Sequence, residues 1–232
     1  MNTAFESTDP FTPDTRHIAV VAAGLSDPSS TTMLAKQLSK ATADALADEG
    51  YRPVVHHFEL REVATDIAES LVTFSRSEKL SEMLAEVEQA DAILTVSPVF
   101  KASYSGLFKS FWDLVDSDAL RGVPVQLGAT GGSSRHSLVI DNAMRPLFSY
   151  LRMRVMPVGV YAATEDWGAA NSSSGTQDPE SDAAYLSRRI HQAGRDLAEV
   201  TARLDPRPRR APSQPKELEV TPFDQLLHGT DD

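Results

Sequence analysis

The chain has 232 residues, of which 41% are hydrophobic and 24% charged, a balance typical of a folded globule rather than a disordered chain. Its 33 acidic and 22 basic residues give a formal net charge of −11, which argues against a broadly basic surface for nucleic acid. Cysteine is absent and no apolar run is long enough to cross a bilayer, so disulfide scaffolds, thiolate sites and membrane spans are excluded. We therefore expect a cytoplasmic protein with no nucleic-acid or membrane partner.

The amino-terminal third begins with an arm and then alternates apolar runs with helical periodicity. Residues 1–15 show little periodicity, and we expect a flexible arm there. Residues 17–23 form a continuous apolar run, which predicts a strand buried on both faces. A helix with one apolar face follows, at positions Leu34, Leu38 and Ala41, and Gly50 lies where its C-terminal cap is expected.

The alternation continues through the middle of the chain. Residues 51–60 predict a second strand, and helical stripes follow over 63–71 and 80–87. Residues 91–96 predict a third buried strand, and a helical stripe over 107–114 comes after it.

The last part of the predicted domain completes a parallel sheet. Residues 123–129 predict a fourth strand, 138–151 a helix and 155–162 a fifth strand. The sequence predicts a final helix that Asp178 can cap and that continues to Leu204. Five apolar strands that alternate with helices predict an α/β fold with a parallel sheet covered on both faces.

The chain divides into three parts by composition. Residues 16–204 form one predicted domain between the amino-terminal arm and a Pro/Arg-rich tail over residues 205–232. Two interpretations of the tail stay open, a disordered segment and an arm that docks on a neighbouring subunit.

Three strand-end loops have unusual compositions, and ligands bind at this edge of open α/β sheets. Loop one (residues 24–32) is rich in hydroxyls ahead of a helix, which suits a phosphate held by N–H groups and the helix dipole. Loop two (97–106) carries Pro98 and the aromatic pair Phe100 and Tyr104, which suit a flat ring or a core contact. Loop three (130–136) begins Thr-Gly-Gly-Ser, where glycines permit a close ligand approach or a turn with positive φ.

Together these loops resemble the NAD(P)H-dependent FMN reductase family of flavodoxin-like fold, in particular its actinobacterial branch. The most specific segment is residues 97–116 (SPVFKASYSGLFKSFWDLVD), which is similar to the family's T-P-x-Y-x-x-S-x-P-G-x-L-K-x-x-x-D block. The resemblance implies a flavodoxin-like three-layer sandwich with a five-stranded parallel sheet in the order 2-1-3-4-5.

The resemblance also assigns cofactor-binding residues by position. It implies that the FMN phosphate is held by Ser26, Ser29, Ser30 and Thr31. The ribityl chain and isoalloxazine ring are expected to lie along Pro98, Val99, Phe100, Lys101 and Ser103. The other edge of the ring is expected to meet Thr130, Gly131, Gly132 and Ser133.

The sequence departs from the family pattern at three points. Phe100 replaces the usual Tyr and Ser105 stands where Pro is common, which puts one ribityl or ring contact in doubt. Loop one also lacks the family's basic residue, which implies weaker phosphate binding.

The implied function is that of an oxidoreductase that transfers hydride from NADPH or NADH to FMN and supplies reduced FMN to a flavin-dependent monooxygenase. The resemblance further implies a homodimer or tetramer. The alternatives are a quinone or azo-type reductase with bound FMN and a non-enzymatic flavodoxin-like electron carrier. Hydride transfer needs no acid or base from the protein, so we predict binding residues and no catalytic side chain.

Other kinds of site have little support in the sequence. His56 and His57 are adjacent on a predicted strand, so their rings point to opposite faces and cannot share one metal ion. The H-E-x-x-H, G-x-S-x-G, G-x-G-x-x-G and P-loop motifs are all missing. We therefore predict no metal site and no hydrolase or dinucleotide-type Rossmann site.

Overall fold

A computed structural model describes residues 13–167 and 182–209 of the chain. Its elements in chain order are β1 (Thr15–Ala22), α1 (Ser30–Asp48), β2 (Arg52–Glu59), α2 (Ala64–Thr73), α3 (Glu78–Glu88), β3 (Ala92–Phe100), β4 (Ser103–Tyr104), α4 (Gly106–Trp112), β5 (Pro124–Gly131), α5 (Arg145–Tyr150), β6 (Arg154–Val155), β7 (Val160–Ala163) and α6 (Asp182–Ala202). A short 3-10 turn (Leu60–Val63) joins β2 to α2, and another (Ser134–His136) follows β5.

The strands form one sheet in the order β2-β1-β3-β5, and both β6 and β7 pair with β5. All pairs are parallel except β3 with β4, which is antiparallel. The predicted α/β class is confirmed. The sheet has seven strands rather than five, because β4 is an additional two-residue strand and the fifth predicted strand is divided into β6 and β7.

Apolar side chains alternate between the two faces of the sheet and make two cores. On one face Ile18 and Val20 of β1 pack with buried residues of α1 and α6, including Leu38 and Ile190. On the other face Val21 packs with a core to which α2, α3, α4 and α5 all contribute. The result is the predicted three-layer sandwich, in which the central strands β1, β3 and β5 are largely buried on both sides.

The division between β6 and β7 has a local cause. Pro157 has no N–H to donate to β5, so the pairing stops there and resumes at β7. The carbonyls of residues 156–159 instead accept hydrogen bonds from side chains: Arg145 donates to the first two at 3.0 and 3.1 Å, Gln126 to the third at 2.6 Å and Arg189 to the fourth at 2.7 Å. These side chains keep the interrupted strand attached to the sheet.

The helix predicted over residues 138–151 is also not continuous. A turn of π-helix (Ile140–Met144) precedes the short α5. Pro146 lies in the first turn of α5, where its missing N–H removes a hydrogen bond that an unbroken α-helix would need. The prediction of one regular helix was therefore wrong in its middle.

The last described residues of the chain form a strap across the amino ends of β1 and β3. This C-terminal strap (residues 203–209) is held at Leu204, whose carbonyl accepts from Arg16 Nη2 at 3.3 Å. The Arg207 N–H donates to Asp91 at 2.7 Å, and Arg209 donates to both oxygens of Glu86 at 2.7 Å. The predicted cap at Asp178, most of the amino-terminal arm (1–12) and the rest of the tail (210–232) lie outside the described residues.

Candidate functional site

Loops one, two and three leave the sheet at the same edge, from the neighbouring strands β1, β3 and β5. The N–H of Ala23 donates to the carbonyl of Val96 at 2.9 Å, and Pro98 is in register with Thr130. Because the helices after β1 and β3 cover opposite faces of the sheet, this edge contains the switch in strand order where such folds bind ligands.

Loop one opens onto the amino end of α1, a helix of 19 residues. Ser29 caps it, and its Oγ accepts the Thr32 N–H at 3.2 Å. The N–H groups of Ser30 and Thr31 precede the first hydrogen bond of the helix, so they remain as donors at its positive end. Ser30 is exposed, and its hydroxyl adds a donor at the same place.

The other hydroxyls predicted for the phosphate are used within the protein. Ser26 Oγ donates to the carbonyl of Pro28 at 2.9 Å, and Ser29 serves as the cap. Thr31 and Thr130 are both almost fully buried, and their hydroxyls share a hydrogen bond of 2.8 Å. This bond ties loop one directly to loop three across the end of β3.

Loop two is a β-hairpin, which the sequence analysis did not predict. Strand β3 extends to Phe100 and pairs with β4, so that Lys101 and Ala102 form the two-residue turn. Their φ angles are +51° and +64°, the combination of a type I′ turn. Such turns favour Asn and Gly, so the residues Lys-Ala give no signal of one.

The hairpin separates the two aromatic residues of loop two. Phe100 is 48% exposed at the end of β3, whereas Tyr104 packs on Phe108 of the core at 5.5 Å between ring centroids. Only Phe100 therefore presents an open face to a flat ring. Ser105, where the family commonly has Pro, caps α4 through the Phe108 N–H, and its own N–H donates to Ser97 Oγ at 3.0 Å.

Loop three is closely packed at Gly131 and open at Gly132. A Cβ on Gly131 would lie 2.1 Å from the hydroxyl oxygen of Tyr161, while a Cβ on Gly132 would meet nothing within 4 Å. The Tyr161 hydroxyl donates to the carbonyl of Ser133 at 2.7 Å. Neither glycine has a positive φ, so the interpretation as a turn with positive φ is wrong. The close neighbour of Gly131 is Tyr161 of the protein itself, and a close approach of a ligand stays a prediction.

Two acidic residues lie behind loop three, of which Glu165 holds the loop and Asp166 holds the end of β7. Glu165 accepts the Ser134 N–H at 3.2 Å. Hydrogen bonds from its own N–H and from that of Ser134 lower the pKa of the Glu165 carboxyl. Asp166 accepts the Ala163 N–H at 2.6 Å. Burial and the nearby Glu165 and Asp166 raise the pKa of Tyr161, so its hydroxyl stays protonated and keeps donating to Ser133.

A fourth contributor to this edge, Arg61, was missed by the sequence analysis. It lies in the 3-10 turn after β2, and its Nη1 donates to the carbonyl of Ser26 in loop one at 3.2 Å. Its other nitrogens lie 3.6 Å from Asp27 and 4.0 Å from Glu59. The signal was available, because the end of the second predicted strand must lie on the same edge as loop one.

Within the described ranges, no group of three or more His, Asp or Glu side chains is arranged to hold a metal ion. In the same ranges, no helix combines the length and apolarity that a bilayer crossing requires.

Comparison with known proteins identifies the family. The family model described as NADPH-dependent FMN reductase matches residues 16–168. The NADH-dependent FMN reductase SfnF of Pseudomonas putida is 42% identical over 148 residues, which are 64% of this chain and 77% of the relative. The FMN reductase (NADPH) of Pseudomonas aeruginosa is 37% identical over 150 residues, 65% of this chain and 78% of the relative.

A solved structure agrees with this similarity. An oxidoreductase from Corynebacterium diphtheriae is 41% identical, with a TM-score of 0.75 over 82% of this chain and 99% of that one. The flavodoxin-like fold predicted from the resemblance is confirmed, and the actinobacterial branch stays a prediction. Because the family model spans most of the described domain, the chain belongs to the NADPH-dependent FMN reductase family of oxidoreductases.

Proposed function

We propose that this enzyme binds FMN across loops one, two and three and reduces it with NADPH or NADH. The observation that carries the proposal is the position of the capped end of α1 on the same sheet edge as an exposed aromatic hairpin and an open glycine. The three features match the three chemical parts of FMN, which are a dianion, a polar chain and a flat ring.

At the phosphate end, the donor set fits a dianion. Ser30 supplies an exposed hydroxyl, and its N–H and that of Thr31 lie at the positive end of a long helix. Anions bind at such helix ends through the N–H groups and the dipole together. We assign Ser26, Ser29 and Thr31 the supporting task of shaping the loop, since their hydroxyls already donate or accept within the fold.

At the ring end, loops two and three provide a platform. Val99 and Phe100 present partly exposed apolar surface, and Pro98 and Ser103 are half-buried beside them. Gly132 leaves its backbone open to the polar edge of a ring, while Thr130, Gly131 and Ser133 are fixed by Thr31 and Tyr161. Lys101, at the exposed hairpin turn, completes the predicted set.

The chemistry of the reaction belongs to the bound nucleotides. When FMN is bound, its ring supplies the acceptor for a hydride from the nicotinamide. The chain holds the phosphate, orients the ring against Phe100 and keeps loop three fixed, so that distance and orientation are set before the reaction.

Two further properties belong to this proposal. We propose that FMN enters and leaves as a substrate, because Phe100, Gly132 and Ser30 are all exposed, and that a flavin-dependent monooxygenase takes up the product. We also propose that residues 16–204 fold as one domain that assembles into a homodimer or tetramer, as the family resemblance implies.

The reaction is tested by anaerobic oxidation of NADPH and of NADH by the flavin-free protein, with and without FMN. We expect oxidation that requires FMN, saturates with it and continues until FMN in large excess over enzyme is reduced. Tight FMN binding without nucleotide oxidation would instead indicate the electron carrier.

The phosphate end is tested with Ser30→Asp and its matched control Ser30→Asn. An acidic residue in the first turn suits a helix, so Ser30→Asp should fold normally. Its charge repels a dianion, and we expect the Kd for FMN to rise at least about tenfold, whereas Ser30→Asn changes it by only about two- to threefold. Equal FMN affinity of the two variants in a fluorescence titration would show that loop one does not hold the phosphate.

A further inference from the structure

The surroundings of loop one are acidic where a phosphate needs positive charge. Loop one itself contains no Lys or Arg, and Asp27 lies within it. Glu59 at the end of β2 reaches the first turn of α1, where its Oε2 accepts the Thr32 hydroxyl at 2.9 Å. Two carboxylates beside a bound dianion oppose its binding, and the net charge of −11 does nothing to offset them.

Arg61 is placed between these carboxylates. Its Nη1 donates to Ser26 O at 3.2 Å, its Nη2 lies 3.6 Å from Asp27, and its Nε lies 4.0 Å from the Glu59 oxygen that accepts Thr32. The guanidinium thus touches the beginning of loop one and faces the helix turn at its end. About one third of the side chain is exposed, so solvent and ligands reach it.

We propose that Arg61 supplies the positive charge of the FMN phosphate site, delivered from the end of β2 instead of from loop one. This inference rests on the proposed function. The planar guanidinium carries five N–H donors, so it holds the Ser26 carbonyl with one nitrogen and directs others towards an anion at the loop. It also offsets the charges of Asp27 and Glu59, and the chain thereby discriminates FMN from riboflavin, which lacks the phosphate.

The test compares the affinities of the flavin-free protein for FMN and riboflavin, measured by fluorescence titration at several salt concentrations. In Arg61→Gln we expect the Kd for FMN to rise about 10- to 100-fold, as for loss of a charged hydrogen bond, and the Kd for riboflavin to stay unchanged. The salt dependence of FMN binding should weaken as well. Arg61→Lys, which keeps the charge, should recover part of the affinity for FMN and its salt dependence.

Arg121→Gln is the matched control. Arg121 is an exposed arginine that pairs with Asp118 at 3.4 Å ahead of β5, at the opposite edge of the sheet. Its loss should leave both affinities unchanged. Thermal melting of each variant verifies that it is folded.

The outcomes separate this inference from the proposed function. If Ser30→Asp weakens FMN binding and Arg61→Gln leaves the ratio of the two Kd values unchanged, loop one holds the phosphate and Arg61 plays no part. If Arg61→Gln weakens both flavins equally with the salt dependence intact, Arg61 only supports the loop and the inference is overturned. A wild-type protein that binds riboflavin as tightly as FMN would overturn the proposed phosphate site itself.

Discussion

Gly131 illustrates how one residue position is determined by a partner far away in the sequence. The missing side chain leaves room for the Tyr161 hydroxyl, which crosses behind loop three to reach the Ser133 carbonyl. Sequence reasoning selected this glycine for its small size. It could not identify Tyr161 as the neighbour, because the pairing of β5 with β7 brings the two together only in the fold.

Gly131→Ala should displace the Tyr161 ring, since the new Cβ would lie 2.1 Å from its hydroxyl oxygen and 3.2 Å from Cζ. Overpacking of a closed site typically costs about 1–3 kcal/mol, so we expect the free energy of unfolding in urea to fall by that amount. FMN affinity should fall as well, because Ser133 loses its hydrogen bond.

Tyr161→Phe gives this prediction its control. Without the hydroxyl, the Cβ introduced by Gly131→Ala meets no close oxygen, so the double variant should be less destabilised than the sum of the single variants. We expect a coupling of about 1 kcal/mol in a double-mutant cycle. Strict additivity would mean that the contact between Gly131 and Tyr161 does not exist in solution.

The turn of the β3–β4 hairpin requires positive φ angles at two residues that disfavour them. Lys101 and Ala102 both adopt the left-handed region, which costs a residue with a Cβ about 1–2 kcal/mol each. The hairpin persists because β3 is anchored in the sheet core, and because the Ser105 N–H donates to Ser97 just beyond it. The strain is located next to the proposed ring platform at Phe100.

Ala102→Gly should therefore stabilise the protein by about 0.5–1 kcal/mol, measured as the free energy of unfolding in urea. The matched control is Ala68→Gly, at an exposed position in the middle of α2, which should destabilise by about 1 kcal/mol because glycine weakens a helix interior. Changes of the same sign in both variants would show that Ala102 does not hold a positive φ.

At the level of elements, hydrophobic periodicity was a sufficient guide wherever the backbone is regular. It located β1, β3 and β5, both stripes on α2 and α3, and the long α6, and Gly50 indeed follows α1 with a φ of +86°. It failed where hydrogen-bonding details decide. Pro146 and Pro157 interrupt the elements predicted around them, and the Lys-Ala turn carries no sequence signal.

For the molecule as a whole, the alternation of strands and helices was enough to place three loops on one edge, because parallel topology brings strand ends together. The roles of single side chains within the site could not be predicted in the same way. The Thr31 hydroxyl was predicted to bind the phosphate, but in the fold it hydrogen-bonds to Thr130, 99 positions away in the sequence. Arg61 was not selected from the sequence, and the end of β2 brings it to loop one.

Two histidines should make the stability of the whole fold depend on pH. Burial lowers the pKa of His17, and the nearby charge of Arg209 lowers it further, while Asp91 and Glu86 act in the opposite direction. Burial and the charge of Lys36 lower the pKa of His57, and Glu59 opposes them. The unfolded chain then binds protons more readily than the folded one, so stability is lost as the pH falls through and below 6.5, the ordinary pKa of histidine.

We expect the free energy of unfolding to decrease between about pH 7.5 and about pH 5.5, and the decrease to be smaller in the His17→Gln/His57→Gln double variant. Urea titrations across this range measure both slopes. Burial raises the pKa of Glu88, whose contribution is lost as the pH rises, so it opposes the histidines in the lower part of the range. Parallel slopes for wild type and double variant would contradict the assignment to His17 and His57.

The C-terminal strap has a consequence for the topology of the polypeptide. Arg16, at the start of β1, holds Leu204 through its carbonyl, so the first strand and the segment after the last helix meet at one place. The two ends of the described domain therefore lie close together, at the edge of the sheet formed by the amino ends of the strands. A short linker between these neighbouring ends would circularise it. A circular permutant could then have its new termini in the connection between α2 and α3, far along the chain from the original termini, and every strand pair would stay intact.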